Sequence, residues 1–428
     1  LHPIAGKPMI QHIFDSVTKL DSKILCVVGY KADEVKNSVD NKVRFVKQKE
    51  QLGTGHAVLQ CQKQIKKHQG PVLVLYGDTP LLSRETLSKL IQYHKINEAG
   101  VSILTTEVNN PTGYGRIIRD ENDFIQKIVE ETDASSEEKK VKEINTGVYC
   151  FDSKLLDEAL DNLECDNVQG EYYLTDAISY INNKDEKIIP VSVGNNKEVI
   201  GVNDRVDLAE AEKYYRKLIN QKHMKNGVTI KDPETTYIDS EVEIQKDTII
   251  YPFTYIEGDS KIGTNTIIGP HSKIVDSNLG KNVVLKANSN IEDSIIKDNC
   301  TIGPFAYIRP GCQIEKGVKV GDFVELKKAQ IDEATKVPHL SYVGDAEIGK
   351  KSNIGAGTVF ANYDGENKYK TRVGDSCFIG SNTTLIAPVN IGDKGKTGAG
   401  AVVTKDVDDD TTVIGVPAKV YESQKNEK

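Results

Sequence analysis

The sequence predicts an α/β domain followed by an all-β parallel β-helix of hexapeptide repeats. Up to about residue 200, apolar strand-like runs alternate with helix-like patterns, and from about residue 238 aliphatic residues recur every six positions. Composition agrees: 34 glycines stand against no tryptophan in 428 residues.

In the first half, Lys23–Tyr30, Pro71–Asp78 and Val101–Val108 are near-continuous apolar runs, as strands buried on both faces are. Met9, Ile10, Ile13, Phe14, Val17 and Leu20 recur at helical spacing, as do Leu87, Leu90, Ile91 and His94 after Ser83, a candidate N-cap. Alternating elements of this kind indicate an open, mostly parallel sheet. Residues 132–142 are polar and read as a surface loop. Residues 204–226 read as one helix, a stiff connector with a partial stripe of Val206, Leu208, Ala211, Tyr215, Leu218 and Ile219, and Gly227 suits its end. The expected division is therefore 1–203, a linker helix 204–227, and 228–428.

In the second half, Ile238, Ile244, Ile250, Ile256, Ile262, Ile268 and Ile274 follow without a break. Five-residue steps then punctuate the series, which runs to Phe360 and resumes from Val373 to Ile391. Each hexapeptide makes one short strand and a turn, three close a triangular coil, and one aliphatic side chain per hexapeptide fills the narrow axis. Roughly ten coils spaced at about 4.8 Å make a prism. Glycine often follows the aliphatic residue, as at Gly263, Gly269, Gly303 and Gly321, which suggests turns with φ > 0. A sandwich would show period two instead. Residues 361–372 interrupt the repeat and are expected as an extruded loop, functional or neutral.

Lys and Arg number 55 against 63 Asp and Glu, a net charge of −8, which excludes a strongly basic nucleic-acid footprint. No apolar run approaches the ~18 residues of a membrane span. Seven scattered cysteines without a C-x-x-C pattern fit free thiols in a reducing cytoplasm. The chain opens on Leu1-His2-Pro3, without methionine or a signal peptide, and is expected to be part of a longer one.

Asp78 ends the most apolar strand, where α/β sheets bind ligands, and could hold Mg²⁺ against a phosphate or simply cap a turn. Gln51-Leu52-Gly53-Thr54-Gly55-His56 lets backbone approach a base or a phosphate, as many βα turns do. In the prism, residues about 18 apart stack, so Arg309 lies against Lys327, and His339 against Gly357. Two stacked cations repel unless an anion sits between them; the alternative is a solvated basic face. His339, with no other histidine after Ser272, is either structural or chemical.

Taken in order, L-H-x-I-A-G-K-P-M, Q-L-G-T-G-H-A, L-Y-G-D-x-P-L, P-T-G-Y-G-R-I, I-N-T-G, G-E-Y-Y-L-T-D and G-V-N-D precede the hexapeptide prism. The whole chain thereby resembles the bacterial family of bifunctional N-acetylglucosamine-1-phosphate uridyltransferases/glucosamine-1-phosphate acetyltransferases. The resemblance implies a nucleotidyltransferase-type (Rossmann-like) domain and a left-handed β-helix, whose two activities together make UDP-N-acetylglucosamine. In that family a first strand, a Gly-rich G-x-G-T-x-M loop and a catalytic lysine come before the position of Leu1. By motif match, Asp78 and Asn203 would hold Mg²⁺, and Asn203 would also face substrate. Gln48, Gly53 and Thr54 would surround the uracil of UTP, and Gly115, Glu130 and Asn145 would contact N-acetylglucosamine-1-phosphate. Arg309, Lys327, Tyr342 and Asn353 would bind glucosamine-1-phosphate, with Asn362 and Tyr363 of the extruded loop completing the site. His339 would be the general base, and Ala356, Ser381 and Ala399 would contact acetyl-CoA. Gly415-Val416-Pro417-Ala418-Lys419 resembles a coenzyme A closing element, without a role for any single residue. The family is a cytoplasmic homotrimer with shared acetyltransfer sites. The rival readings are a nucleotidyltransferase with a purely structural or regulatory β-helix, and a non-enzymatic scaffold.

Overall fold

The computed structural model describes residues 1–20, 22–39 and 43–421. The chain divides into two compact units, Leu1–Lys213 and Tyr214–Lys428. The helix Arg205–Lys225 runs through that division. Of its expected apolar stripe, Ala211 and Ile219 are buried, whereas Val206 and Leu218 are exposed.

The first unit is built on the ten-residue strand Glu143–Asp152. It pairs antiparallel with Pro71–Val74, Val101–Glu107 and Arg116–Arg119. Ile188–Ser192 adds to Val101–Glu107 in parallel, and Leu25–Val28 pairs with Arg44–Lys47 in parallel as a separate two-stranded sheet. The expectation of a mostly parallel sheet is thus corrected: the central strand runs against its neighbours. Its pleat sends Tyr149 and Phe151 into one core, with Leu156 and Ile178, and Val148 and Cys150 into another, with Leu87 and Leu90. Both faces are covered, so the strands read as apolar runs whatever their direction. Ser83 caps Arg84–Asn97, its hydroxyl accepting from the Thr86 N–H at 3.2 Å. The strand Pro71–Val74 stops short of Tyr76-Gly77-Asp78, leaving those residues in the loop beyond it.

The second unit is a parallel β-helix of three ladders, with 12, 10 and 9 strands. Ile250, Ile256, Ile268, Ile274, Ile302 and Ile308 are fully buried along its axis. Most coil steps are 17 or 18 residues, as in Lys273 against Asn290 and Tyr255 against Lys273, because a five-residue step shortens a corner without breaking a ladder. At the prism's start, Asn220 donates to the Pro233 and Thr236 carbonyls at 2.9 and 3.0 Å.

The turn glycines need a different explanation from the expected one. Of the four, only Gly303 has positive φ. Asn265, Asn282 and Asn299 occupy left-handed turn positions instead, as their short polar side chains permit. Gly263, Gly269 and Gly321 are required because the next coil passes where a Cβ would stand, 2.5 Å from the Gly280 oxygen in the case of Gly263. Gly263→Ala should therefore lower stability by about 1–3 kcal/mol through overpacking. Gly194→Ala, with nothing within 4 Å of the added carbon, is the control. Denaturant titration of both variants checks this; equal midpoints would remove the close-approach argument.

Candidate functional site

In the first unit, Leu52–Gly55 is zipped to the segment 171–174. The Tyr172 N–H donates to the Leu52 carbonyl at 2.8 Å, Gly55 N–H to Tyr172 at 2.7 Å, and the Leu174 N–H to the Thr54 hydroxyl at 3.1 Å. Gly53, at φ +106, has the Tyr172 carbonyl 2.6 Å from where its Cβ would be. Gln48 is buried, its amide donating to the Gly53 carbonyl at 3.3 Å and contacting His56 Nδ1 at 3.1 Å. Gln48, Gly53 and Thr54 are therefore neighbours.

Gly115, Glu130 and Asn145 also converge, though 30 residues separate the first from the last. A Cβ on Gly115 would lie 3.3 Å from Glu130 Oε2 and 3.4 Å from Asn145 Cβ. Asn145 donates to the Tyr149 hydroxyl at 2.6 Å, and Thr175 donates to Glu130 at 3.2 Å. Burial pushes the Glu130 carboxyl above its usual range and lifts the Tyr76 phenol to about 12. The Tyr76 ring packs on Gly147, which has φ +75. Tyr76, Tyr149 and Thr175 had no assigned role in the sequence reading, although Tyr76 and Thr175 lie inside its motifs.

Asp78 and Asn203 face each other across Gly201, whose Cβ position is 3.8 Å from Asp78 Oδ2 and 3.7 Å from Asn203 Nδ2. Asp78 Oδ1 is buried without a hydrogen-bond partner, and burial raises this carboxyl's pKa. Among the described residues no cluster of three His, Cys, Asp or Glu forms a metal site.

In the second unit, Arg309 and Lys327 stack in register, continuing the Ile308–Leu326 pair. Their expected mutual repulsion is corrected, because each has its own carboxylate. Arg309 meets Glu325 at 2.8 Å, and Lys327 meets Asp345 at 3.8 Å. Asp345 also accepts from Asn362 Nδ2 at 2.5 Å. A Cβ on Gly344 would fall 2.5 Å from the Tyr342 hydroxyl and 2.7 Å from Asn362 Nδ2. Lys327, Tyr342, Asp345 and Asn362 thus gather around Gly344. Tyr363 turns its hydroxyl to the Gly365 carbonyl of its own loop. The loop proper is 362–370, since Ala361 and Thr371 belong to strands.

His339 lies on the adjoining ladder, across the corner at Leu340-Ser341 from Tyr342. Its Nδ1 is 2.5 Å from Asp322 Oδ1. The coil step here is 17, Lys336 against Asn353, so His339 falls beside Ala356 rather than Gly357. Continuing the ladder, Asn353 pairs with Phe378 and Phe378 with Lys396. His339, Ala356, Ser381 and Ala399, each three residues further on, therefore form one row, with Asn353 in the parallel row behind. Thr412–Gly415 and Ala418–Val420 close the prism as an antiparallel hairpin.

Residues 1–194 match the Nucleotidyl transferase family, residues 241–275 and 293–328 the Bacterial transferase hexapeptide family, and residues 370–405 the Hexapeptide repeat of succinyl-transferase. The chain is 47% identical over 415 residues to a protein of Listeria monocytogenes serotype 4a named Bifunctional protein GlmU, covering 97% of this chain and 91% of that one. Proteins of the same name from Acetivibrio thermocellus and Brevibacillus brevis are 48% and 45% identical, over 95% and 97% of this chain and 88% and 90% of theirs. The chain belongs to the bifunctional GlmU family. Its two catalytic classes fall on the two units: nucleotidyl transfer on the α/β unit and acyl transfer on the left-handed β-helix. No helix among the described residues is long and apolar enough to cross a membrane.

The sequence reading did not single out the carboxylates that contact His339, Arg309 and Lys327, namely Asp322, Glu325 and Asp345. Each lies in the coil next to a residue that was singled out.

Proposed function

We propose that the β-helix transfers the acetyl group of acetyl-CoA to the amine of glucosamine-1-phosphate. The α/β unit then joins N-acetylglucosamine-1-phosphate to UTP. The observation that carries the first step is the single row His339–Ala356–Ser381–Ala399. A thioester carrier laid along that row brings its carbonyl carbon to the imidazole at the row's end. Arg309, Lys327, Tyr342, Asn353 and Asn362 bind the sugar phosphate, and Tyr363 closes over it. The neutral amine attacks the carbonyl carbon as His339 takes a proton from its nitrogen, the C–S bond breaks, and the imidazolium returns that proton to the thiolate, so that coenzyme A leaves as the thiol.

In the α/β unit, Gln48, Gly53 and Thr54 hold the uracil while Gly115, Glu130 and Asn145 hold the sugar. The sugar's phosphate oxygen bonds to the α-phosphorus of UTP as the α–β bridging bond breaks, releasing pyrophosphate. Asp78 and Asn203 would hold Mg²⁺, which screens phosphate charge when bound. The orphaned, buried Asp78 oxygen fits a hard cation that prefers oxygen ligands, and Asn203, which turns Nδ2 this way, would offer its carbonyl oxygen once the amide is flipped.

The trimer reading rests on one corner of the prism. Phe253, Phe305, Phe323 and Leu340 stand exposed there at positive φ, with Phe305 and Phe323 stacked 5.0 Å apart. Such an apolar ridge is suited to burial around a threefold axis. Seven unpaired cysteines support a cytoplasmic setting.

His339→Ala should cut acetyl transfer by about 10²–10⁴. Lys327→Ala should chiefly raise KM for the sugar phosphate, since it removes ground-state phosphate binding. Thiol release reads both, and a His339→Ala enzyme within about threefold of wild type removes the base assignment. Mn²⁺, followed by its electron-spin signal, should bind less tightly as pH falls through the raised pKa of Asp78, because only the carboxylate ligates. Asp78→Asn should abolish that site, and wild-type Mn²⁺ affinity in the variant would place the cation elsewhere. Phe323→Glu should convert a trimer to monomers in sedimentation; an unchanged mass would exclude this corner as the interface.

A further inference from the structure

The row that holds His339 extends one coil further, to a residue for which neither motif nor family match assigned a role. Through most of this ladder the strands are two residues long. At Lys319–Asp322 and Lys336–His339 they lengthen to four, and the pairing extends to Asp322 against His339. The Leu340 N–H donates to the Asp322 carbonyl at 3.0 Å, so the backbone on both sides of the pair is fixed. Cross-strand partners in register project to the same side of a sheet. The two side chains accordingly meet, with Nδ1 and Oδ1 2.5 Å apart.

Resting on the reading of His339 as the base, we infer that Asp322 is a positioning residue: its carboxylate holds the imidazole with the proton on Nδ1, leaving the Nε2 lone pair free to accept the substrate proton. An ionised carboxylate has acceptors only, so a hydrogen bond to Nδ1 requires Nδ1 to be the donor. The imidazole itself lowers the Asp322 pKa, with Lys286 as a further facing cation, so the carboxylate is ionised at neutral pH. After proton uptake the same carboxylate stabilises the imidazolium, the role of the acid in a nucleophile–base–acid triad. Both side chains are partly open to solvent, at 38% for Asp322 and 56% for His339. Screening there makes the effect smaller than the ~10⁴ seen when a buried triad takes the wrong tautomer.

The test uses the full chain with Asp322→Leu and Asp322→Asn. Leucine keeps the bulk and removes the acceptor, whereas the asparagine carbonyl can still accept from Nδ1–H. Asp322→Leu should lower kcat for acetyl transfer by about 10–100-fold, with KM for both substrates within about twofold, and Asp322→Asn should recover most of that loss. In ¹⁵N-histidine NMR, the resonances assigned to His339 by their absence in His339→Ala should report Nδ1–H in wild type and a shift toward Nε2–H in Asp322→Leu. Wild-type kcat in Asp322→Leu, an unshifted tautomer, or Nε2–H in wild type each overturns the inference. If His339→Ala stays active, the base assignment fails, and the tautomer measurement still decides whether Asp322 orients the ring.

Discussion

The chemistry of the second unit depends on the backbone ladder between successive coils. Parallel hydrogen bonds fix each coil about 4.8 Å from the next, so residues one coil apart become neighbours with almost no freedom. That spacing places Asp322 on His339, Glu325 beside Arg309, and Ala356, Ser381 and Ala399 in one row. The ladder tolerates changes in coil length only at corners. The coil from Asn353 to Phe378 carries 25 residues, yet the two still pair in register because the surplus leaves the prism as a loop. Asn362, at the root of that loop, is tied back to Asp345. The insertion thus leaves the prism without disturbing the ladder on either side of it.

The period of six was legible because the axis takes one apolar side chain from every hexapeptide, mostly Ile, Leu or Val, so every coil repeats the same demand. What stood on the outside of the prism was harder to read. Asp322, Glu325 and Asp345 are carboxylates at outward positions in a chain whose residues are 28% charged, and nothing local distinguishes them from solvated surface. They acquire meaning only through the coil step, and an error of one residue moves a neighbour out of the row. Counting 18 from His339 reaches Gly357; the actual step of 17 reaches Ala356, which is in the row with Ser381 and Ala399. The repulsion argument for Arg309 and Lys327 failed for the same reason, since it counted the cations and not the carboxylates beside them.

In the first unit the reverse holds. The Gly115, Glu130 and Asn145 motifs could be found in the sequence, but the sheet that joins them could not. A strand buried on both faces has no alternation, so its direction leaves no trace in the sequence. The antiparallel course of Glu143–Asp152 brings Asn145 against Gly115, with the Asn145 N–H donating to the Gly115 carbonyl at 2.8 Å. The glycines were informative in both units but ambiguous in cause. At Gly147 the constraint combines a positive φ with the Tyr76 ring, and at Gly263 it is a passing backbone alone.

The two units solve the problem of charge in opposite ways. In the α/β unit, burial raises the pKa of Asp78 and Glu130 and of the Tyr76 phenol. Asp78 Oδ1 is left there without a partner, whereas Glu130 still accepts from the Thr175 hydroxyl. In the β-helix Asp322 and Glu347 lie partly open to solvent, and partners rather than burial set their state: His339 lowers the pKa of Asp322, and Lys370 and Arg372 lower that of Glu347. A thin prism has no interior beyond its aliphatic axis and so cannot desolvate a site by itself. A surface imidazole oriented by a register partner needs no such interior. What it lacks is exclusion of water, which the prism, with the His339 and Asp322 side chains both partly open to solvent, does not supply by itself.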